Sequence, residues 1–403
     1  RSLAANTAIQ LFGRFLTLVI SVVTLSFIAN HLTANGSALE GYGQYSIVLT
    51  YISIIGATAD LGLFTLVVRE ITGLPPEKAG KVVGAAILFR FLLLVAALLV
   101  LAGIFPFLPY DLVVKQGILL GAIIAFLMLF SQSIAAIFQA NYQAEKIVTA
   151  EVLGRLVMLI LTIFFLFRGD GLIPVIMANL IGNVVLLGAS YALSRRTVPI
   201  RINFDWSFWK QSLPEFWSIA VVTVLGLIHF RIDSLILSFY QPVTEVGIYG
   251  VAYRVLDIVL VIPAILAANL LPLLTKLGAE GKSAEMAQLV SRMTGNLWAG
   301  SIAIGAAVLA LAPWVIVFIT RSDFVAAAVP LRLLVPAFVF LFLTSLFAQA
   351  VIAMKEQKRL ISGYLLVIAL DVVFNLVLIP NYSYRGAAIT TVASEAVLMV
   401  YSF

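Results

Sequence analysis

Twelve apolar runs of about twenty residues, parted by short polar breaks, fill this sequence and fix the solvent it folds in. They fall at about 8–29, 43–67, 84–104, 117–140, 147–167, 172–193, 216–240, 246–271, 296–319, 328–353, 360–380 and 386–403. A bilayer core about 30 Å thick is crossed by roughly 20 residues of helix, so each run is long enough to span. Composition agrees: 62% of residues are apolar and 11% charged, against about 25% charged in soluble domains. So few charges cannot cover a globular surface. The sequence predicts an all-α, polytopic membrane protein with about twelve transmembrane helices.

Lysine and arginine in short loops set the orientation. One alternating set of connections holds Arg1, Arg69, Lys78, Lys81, Lys146, Arg195, Arg196, Arg201, Lys210, Lys276, Lys282, Arg292, Lys355, Lys358 and Arg359; the other holds only Lys115, Arg168, Arg321 and Arg385. The first set is therefore expected to be cytoplasmic, with both termini inside a cytoplasmic (inner) membrane. The net charge of +6 is a topology signal and calls for no nucleic-acid partner. The first apolar run opens a series of spans rather than preceding a polar domain, which argues against a cleaved signal peptide.

The second half of the chain echoes the first. Gly43-Gln44-Tyr45 follows Glu40, as Gly247-Ile248-Tyr249 follows Glu245; Glu145-Lys146 answers to Lys355-Glu356-Gln357-Lys358, and Gly171 after Arg168 to Gly386 after Arg385. Six helices per repeat is an even number, so both halves share one orientation, as in transporters built of parallel repeats. The expected organisation is a six-helix bundle over 1–194, a linker over 195–215 and a second bundle over 216–403. The linker, with Trp206, Trp209 and Lys210, reads as a short amphipathic helix at the inner interface or a loop with aromatic anchors.

Ionisable residues inside spans are costly and point to function. Arg254 lies well inside span eight with Asp257 at i+3, either a self-satisfied ion pair or an anion-binding arginine held by an acid. Arg14 in span one either snorkels to the interface or faces a cavity. Arg90 and Arg155 read as near-interfacial. Arg231 and Asp233, two residues apart, point away from one another on a helix, so each needs a partner from another span. Asp371 and Asn375 share a helix face, as do Ala387, Thr391 and Glu395. Asp233, Asn375 and Thr391 fall at similar depths, a set of hard oxygen ligands suited to Na⁺ or a proton-exchanging acid, or a structural polar network. Asp60 stands alone in span two, a proton site or a packing contact.

Enzyme chemistry finds little support. Cysteine is absent and only His31 and His229 are present, which excludes thiolate nucleophiles and histidine-rich metal centres. Gly281-Lys282-Ser283 ends like a phosphate-binding loop, but the opening glycine of that motif would fall at Lys276. Uphill work therefore needs an ion gradient, and no cofactor is expected beyond Na⁺ or H⁺ as a coupling ion.

The run Asp233-Ser234-Leu235-Ile236-Leu237, with Val246 to Arg254 and on to Pro263 and Leu271-Pro272, resembles the polysaccharide flippases of the multidrug/oligosaccharidyl-lipid/polysaccharide exporter superfamily. Gly41-Tyr42-Gly43-Gln44-Tyr45 with Asp60-Leu61-Gly62, and Asn375 to Ile379-Pro380 with Gly386-Ala387-Ala388 and Ser394-Glu395, are similar to the same family. The resemblance implies a V-shaped pair of six-helix bundles working by alternating access. It implies carriage of undecaprenyl-pyrophosphate-linked repeat units to the outer leaflet for O-antigen, lipopolysaccharide or exopolysaccharide, as an ion-coupled antiporter. Implied partners are the lipid-linked oligosaccharide, membrane lipids, a polysaccharide polymerase and other assembly proteins. By resemblance to the related peptidoglycan-precursor flippases, Arg14 in Phe12-Gly13-Arg14-Phe15-Leu16 and Arg254 in Tyr253-Arg254-Val255-Leu256-Asp257 bind pyrophosphate, with Asp257 supporting. Asp233, Asp371, Asn375, Ala387 and Thr391 fit that group's sodium site, with acid and amide on helix eleven exchanged in order; Asp60 and Glu395 are candidate proton sites. Those relatives carry basic residues midway along helix two, where this chain has Gly56 and Ala57. A multidrug exporter of the same superfamily, moving cations through an acidic cavity, and a membrane-embedded glycan-handling enzyme are the rival readings.

Overall fold

In lipid each backbone N–H and C=O must find its partner within the protein, so a chain of apolar runs folds as helices. The computed structural model describes residues 3–60, 62–195, 197–200, 206–354 and 356–403. Arg1, Leu61, Arg196, Arg201 and Lys355, which the sequence reading used, lie outside the described residues.

The architecture is all-α, as expected. The helices are α1 (Leu3–His31), α2 (Ala38–Asp60), α3 (Leu63–Ile71), α4 (Pro76–Ile104), α5 (Leu112–Ala140), α6 (Ala144–Phe167), α7 (Leu172–Ser194) and α8 (Trp206–Tyr240), followed by α9 (Val243–Val259), α10 (Val261–Ala279), α11 (Ser283–Ile319), α12 (Ala328–Leu333), α13 (Val335–Ala353), α14 (Gln357–Tyr382) and α15 (Tyr384–Ser402). Each expected span is helical over most of its described residues. Ten helices among the described residues are long and apolar enough to cross a membrane. The segments over α2 and α15, rich in Gly, Ser, Thr and Tyr, are not in that set.

Three expected spans are broken in two. Gly62 sits at φ +68° between α2 and α3, a left-handed conformation that suits glycine. The interruptions at Leu260 and Leu334 precede Pro263 and Pro336. A proline gives no N–H to the carbonyl four residues back and crowds it, so these helices part at the turn before the ring. The second expected span and the eighth are both interrupted, whereas the tenth is split and the fourth, α5, is unbroken.

The chain forms two compact units, Arg1–Val224 and Leu225–Phe403. The expected linker covers 195–215, of which 196 and 201–205 lie outside the described residues. Helix α8 starts at Trp206 and runs unbroken for 35 residues, so the boundary falls inside a helix. Trp209, expected at the lipid interface, is 4% exposed. It stacks on Phe89 at a centroid separation of 4.3 Å and joins a core with Val83, Ile87, Ile137 and Ala220.

Within the first unit, α6 and α7 approach closely at facing glycines. A Cβ on Gly182 would lie 2.7 Å from Met158 Cβ and 2.8 Å from the Gly154 carbonyl oxygen, and one on Gly154 would lie 2.7 Å from the Gly182 carbonyl oxygen. Small residues let membrane helices meet backbone to backbone. Gly182→Leu is expected to force these helices apart and cost about 1–3 kcal/mol as overpacking, read as a lower melting temperature of purified protein; an unchanged melt would show that the contact yields freely.

Candidate functional site

The second unit buries a polar network built from pairs four residues apart, which share a helix face. Helix α8 carries His229 and Asp233, α9 Tyr249 and Tyr253, α14 Asp371 and Asn375, and α15 Thr391 and Glu395. The His229 ring lies between two acids, Nδ1 at 2.5 Å from Asp371 Oδ2 and Nε2 at 3.0 Å from Glu395 Oε1. A neutral imidazole donates from one nitrogen only. Both ring nitrogens face carboxylate oxygens, so the ring ties α14 to α15. Ser394 donates to the other oxygen of Asp371.

One turn along α8, Asp233 accepts from the hydroxyls of Tyr249 (2.5 Å), Tyr253 (2.6 Å) and Thr391 (3.1 Å) on Oδ2, and from the Ser234 amide (2.6 Å) on Oδ1. Thr391 lies 3.0 Å from the carbonyl oxygen of Ala387. Of the residues expected to hold sodium, Asp233 is hydrogen-bonded to Thr391, Thr391 to the Ala387 carbonyl, and Asp371 to His229 and Ser394 instead. The oxygens of Asp233 and Asp371 face donors, and among the described residues no group of three or more His, Asp or Glu side chains is arranged to hold a metal ion. Asn375 is fully buried with neither amide atom hydrogen-bonded, and Glu395 Oε2 also has no hydrogen-bond partner. An amide lacking partners at both N and O asks for a group that donates and accepts, as water does; a cation would serve the oxygen alone.

A second cluster lies between α8 and α9. Arg231 Nη2 is 3.2 Å from Asp257 Oδ2 and 3.4 Å from Oδ1, and Arg254 Nη1 is 3.3 Å from the same Oδ2. One carboxylate thus serves two guanidinium groups. Arg231 and Asp233 do take their partners from other helices, as their spacing requires. The Arg231 guanidinium also lies over the rings of Phe230 (5.0 Å) and Tyr253 (5.8 Å).

In the first unit, Arg90 is fully buried, which corrects its near-interfacial reading. It donates to the Leu129 carbonyl (2.7 Å), to Ser133 Oγ (2.5 Å) and to Asp60. Asp60 therefore does not stand alone: it closes an ion pair at the end of α2. Arg14 is exposed on α1. Arg155 of α6 donates to Ser21 Oγ at 2.5 Å, and Glu151 lies within electrostatic reach of both arginines.

Long apolar helices, some broken along their length, with charged clusters buried among them define a class, the polytopic membrane proteins. Solved structures agree on the fold. An inward-facing multidrug resistance MATE family transporter of the MOP superfamily matches with a TM-score of 0.77 at 15% identity, over 100% of this chain and 97% of that one. A lipid II flippase, MurJ, in an inward closed conformation gives 0.75 at 15% identity over 99% and 86%. A MOP superfamily transporter from Pyrococcus furiosus, described as having a binding pocket of reverse polarity, gives 0.69 at 15% over 100% and 93%. The probable flippase AglR of Haloferax volcanii is 29% identical over 171 residues, 40% of this chain and 35% of that protein, so the match spans about a third of its length. The chain belongs to the polysaccharide biosynthesis protein family, whose model matches residues 3–278.

Proposed function

We propose that this protein moves a lipid-linked oligosaccharide, carried on a polyprenyl pyrophosphate, across the cytoplasmic membrane by alternating access. The observation that carries this reading is the α8–α9 cluster, where two partly exposed arginines share one acid in a chain of the polysaccharide biosynthesis family. A pyrophosphate in a low-dielectric setting needs cationic partners, and arginine makes the strongest charge-assisted hydrogen bonds to phosphate oxygens. Arg14, exposed in the other unit, is assigned the same kind of contact. A multidrug exporter moving organic cations would be poorly served by either arginine.

Arg254→Ala is expected to cut surface glycan at least tenfold while the protein still inserts at normal level, with Arg254→Lys in between. Measured glycan equal to wild type would remove Arg254 from the site, and a deletion strain with normal glycan but heightened drug sensitivity would overturn the substrate class. Coupling to Na⁺ or H⁺ through the network around Asp233 and Asp371 belongs to the same proposal. Asp233→Asn or Asp371→Asn should slow turnover and blunt its dependence on the ion gradient. Wild-type transport indifferent to replacing Na⁺ by K⁺ and to collapsing the proton gradient would sink the coupling. Both termini are assigned to the cytoplasm from the loop arginines and lysines.

A further inference from the structure

The α8–α9 cluster has the form of an anion site with a resident anion in it. Charge-assisted N–H···O contacts at their best run about 2.7–2.9 Å, but the three between Asp257 and the two arginines are 3.2, 3.3 and 3.4 Å. The carboxylate is divided between two cations and fully engages neither. The cluster is also not sealed: the side chains of Arg231, Asp257 and Arg254 are 16%, 23% and 32% exposed. The Arg231 guanidinium carbon lies 5.0 Å from the Phe230 ring centroid and 5.8 Å from that of Tyr253, and Tyr253 is fixed through its hydroxyl to Asp233. The guanidinium is therefore pre-placed whether or not Asp257 remains bound to it.

We propose that Arg231 is a second phosphate-binding residue beside Arg254, and that Asp257 is an exchangeable counter-ion which the phosphate displaces. This rests on the function proposed above and changes the role of Asp257 from a support for Arg254 to a competitor for its ligand. A pyrophosphate substituted at both ends offers four non-bridging oxygens and two negative charges, against two oxygens and one charge for the carboxylate, so it can bridge both arginines where the carboxylate must divide itself. The exchange has a structural corollary. Asp257 on α9 holds Arg231 on α8, so the arriving anion replaces a bond internal to the protein with one through the ligand. On release the carboxylate returns, which keeps two like charges from facing each other and gives the empty site a finite pull on its ligand.

The test is equilibrium binding to the purified full-length chain in detergent, with farnesyl pyrophosphate and inorganic pyrophosphate as probes. Arg231→Gln and Arg254→Gln are each expected to weaken farnesyl pyrophosphate binding about tenfold or more. Asp257→Asn, which keeps shape and loses charge, is expected to tighten it three- to tenfold, a sign that a purely supporting acid cannot give. Asp257→Ser provides the same sign should the asparagine variant fail to fold, with elution profile and melting temperature as controls. Weaker binding by both folded Asp257 variants, or unchanged affinity in Arg231→Gln, overturns the exchange. Equal affinity of the wild type for the two probes, with the mutant pattern intact, leaves the exchange standing and removes the lipid-linked substrate instead.

Discussion

Replacing His229 with alanine is expected to destabilise the protein by about 3–5 kcal/mol, the range for removing one partner of a buried ionic group. The ring is 7% exposed and joins Asp371 on α14 to Glu395 on α15. Without it Asp371 keeps Ser394, but Glu395 loses the contact to Oε1, while its Oε2 has no hydrogen-bond partner to begin with. Two acids then share a water-poor pocket with no donor between them. His229→Gln keeps a donor but cannot reach both acids, and is expected to fall in between. A double-mutant cycle with Glu395→Gln isolates the contact: the pair should recover a substantial part of the loss. A melting temperature of His229→Ala within error of wild type would mean that the cluster carries no stability.

Asp60→Ala is expected to be of similar size for the opposite reason, because the group left behind is a cation. Arg90 has no side-chain exposure, whereas Asp60 is 22% exposed. Deleting the acid leaves the guanidinium with the Leu129 carbonyl and Ser133, two neutral acceptors for a full charge, at a cost of about 3–5 kcal/mol. Asp60→Asn keeps a hydrogen bond without the charge and should lose less. Replacing Asp60 and Arg90 together by leucine removes charge and countercharge at once, which is often neutral or stabilising. Thermal melts of the three variants order these outcomes; Asp60→Ala melting with the wild type would show that the pair is dispensable.

The features written locally in the sequence were the legible ones. Runs of twenty apolar residues marked every span, and the two-residue gap between Arg231 and Asp233 already sent their partners to other helices, where Asp257 and the Tyr249–Tyr253–Thr391 hydroxyls meet them. The pairing of Asp60 with Arg90 has no local sign, since thirty residues separate them and only the packing of α2 on α4 brings them together. His229 was set aside because two histidines make no metal centre, yet a signal for it existed. His229/Asp233, Asp371/Asn375 and Thr391/Glu395 repeat one four-residue spacing on three helices, the mark of polar faces that meet. The place of Trp209 was misjudged because an aromatic side chain with a polar edge fits both a lipid interface and a protein core.

The interruption at Leu260 has a consequence for what surrounds α9. Pro263 brings no N–H to the carbonyl of Val259, and a bare carbonyl at membrane depth has to be met by protein or by water. Leu260 is only half-buried and Ile262 is 45% exposed, so at this level the helix is only partly covered by protein. That level lies less than a turn beyond Asp257. The proline thus leaves, close to the paired arginines, a backbone acceptor that the helix itself does not serve and that a neighbouring side chain or a water molecule has to meet.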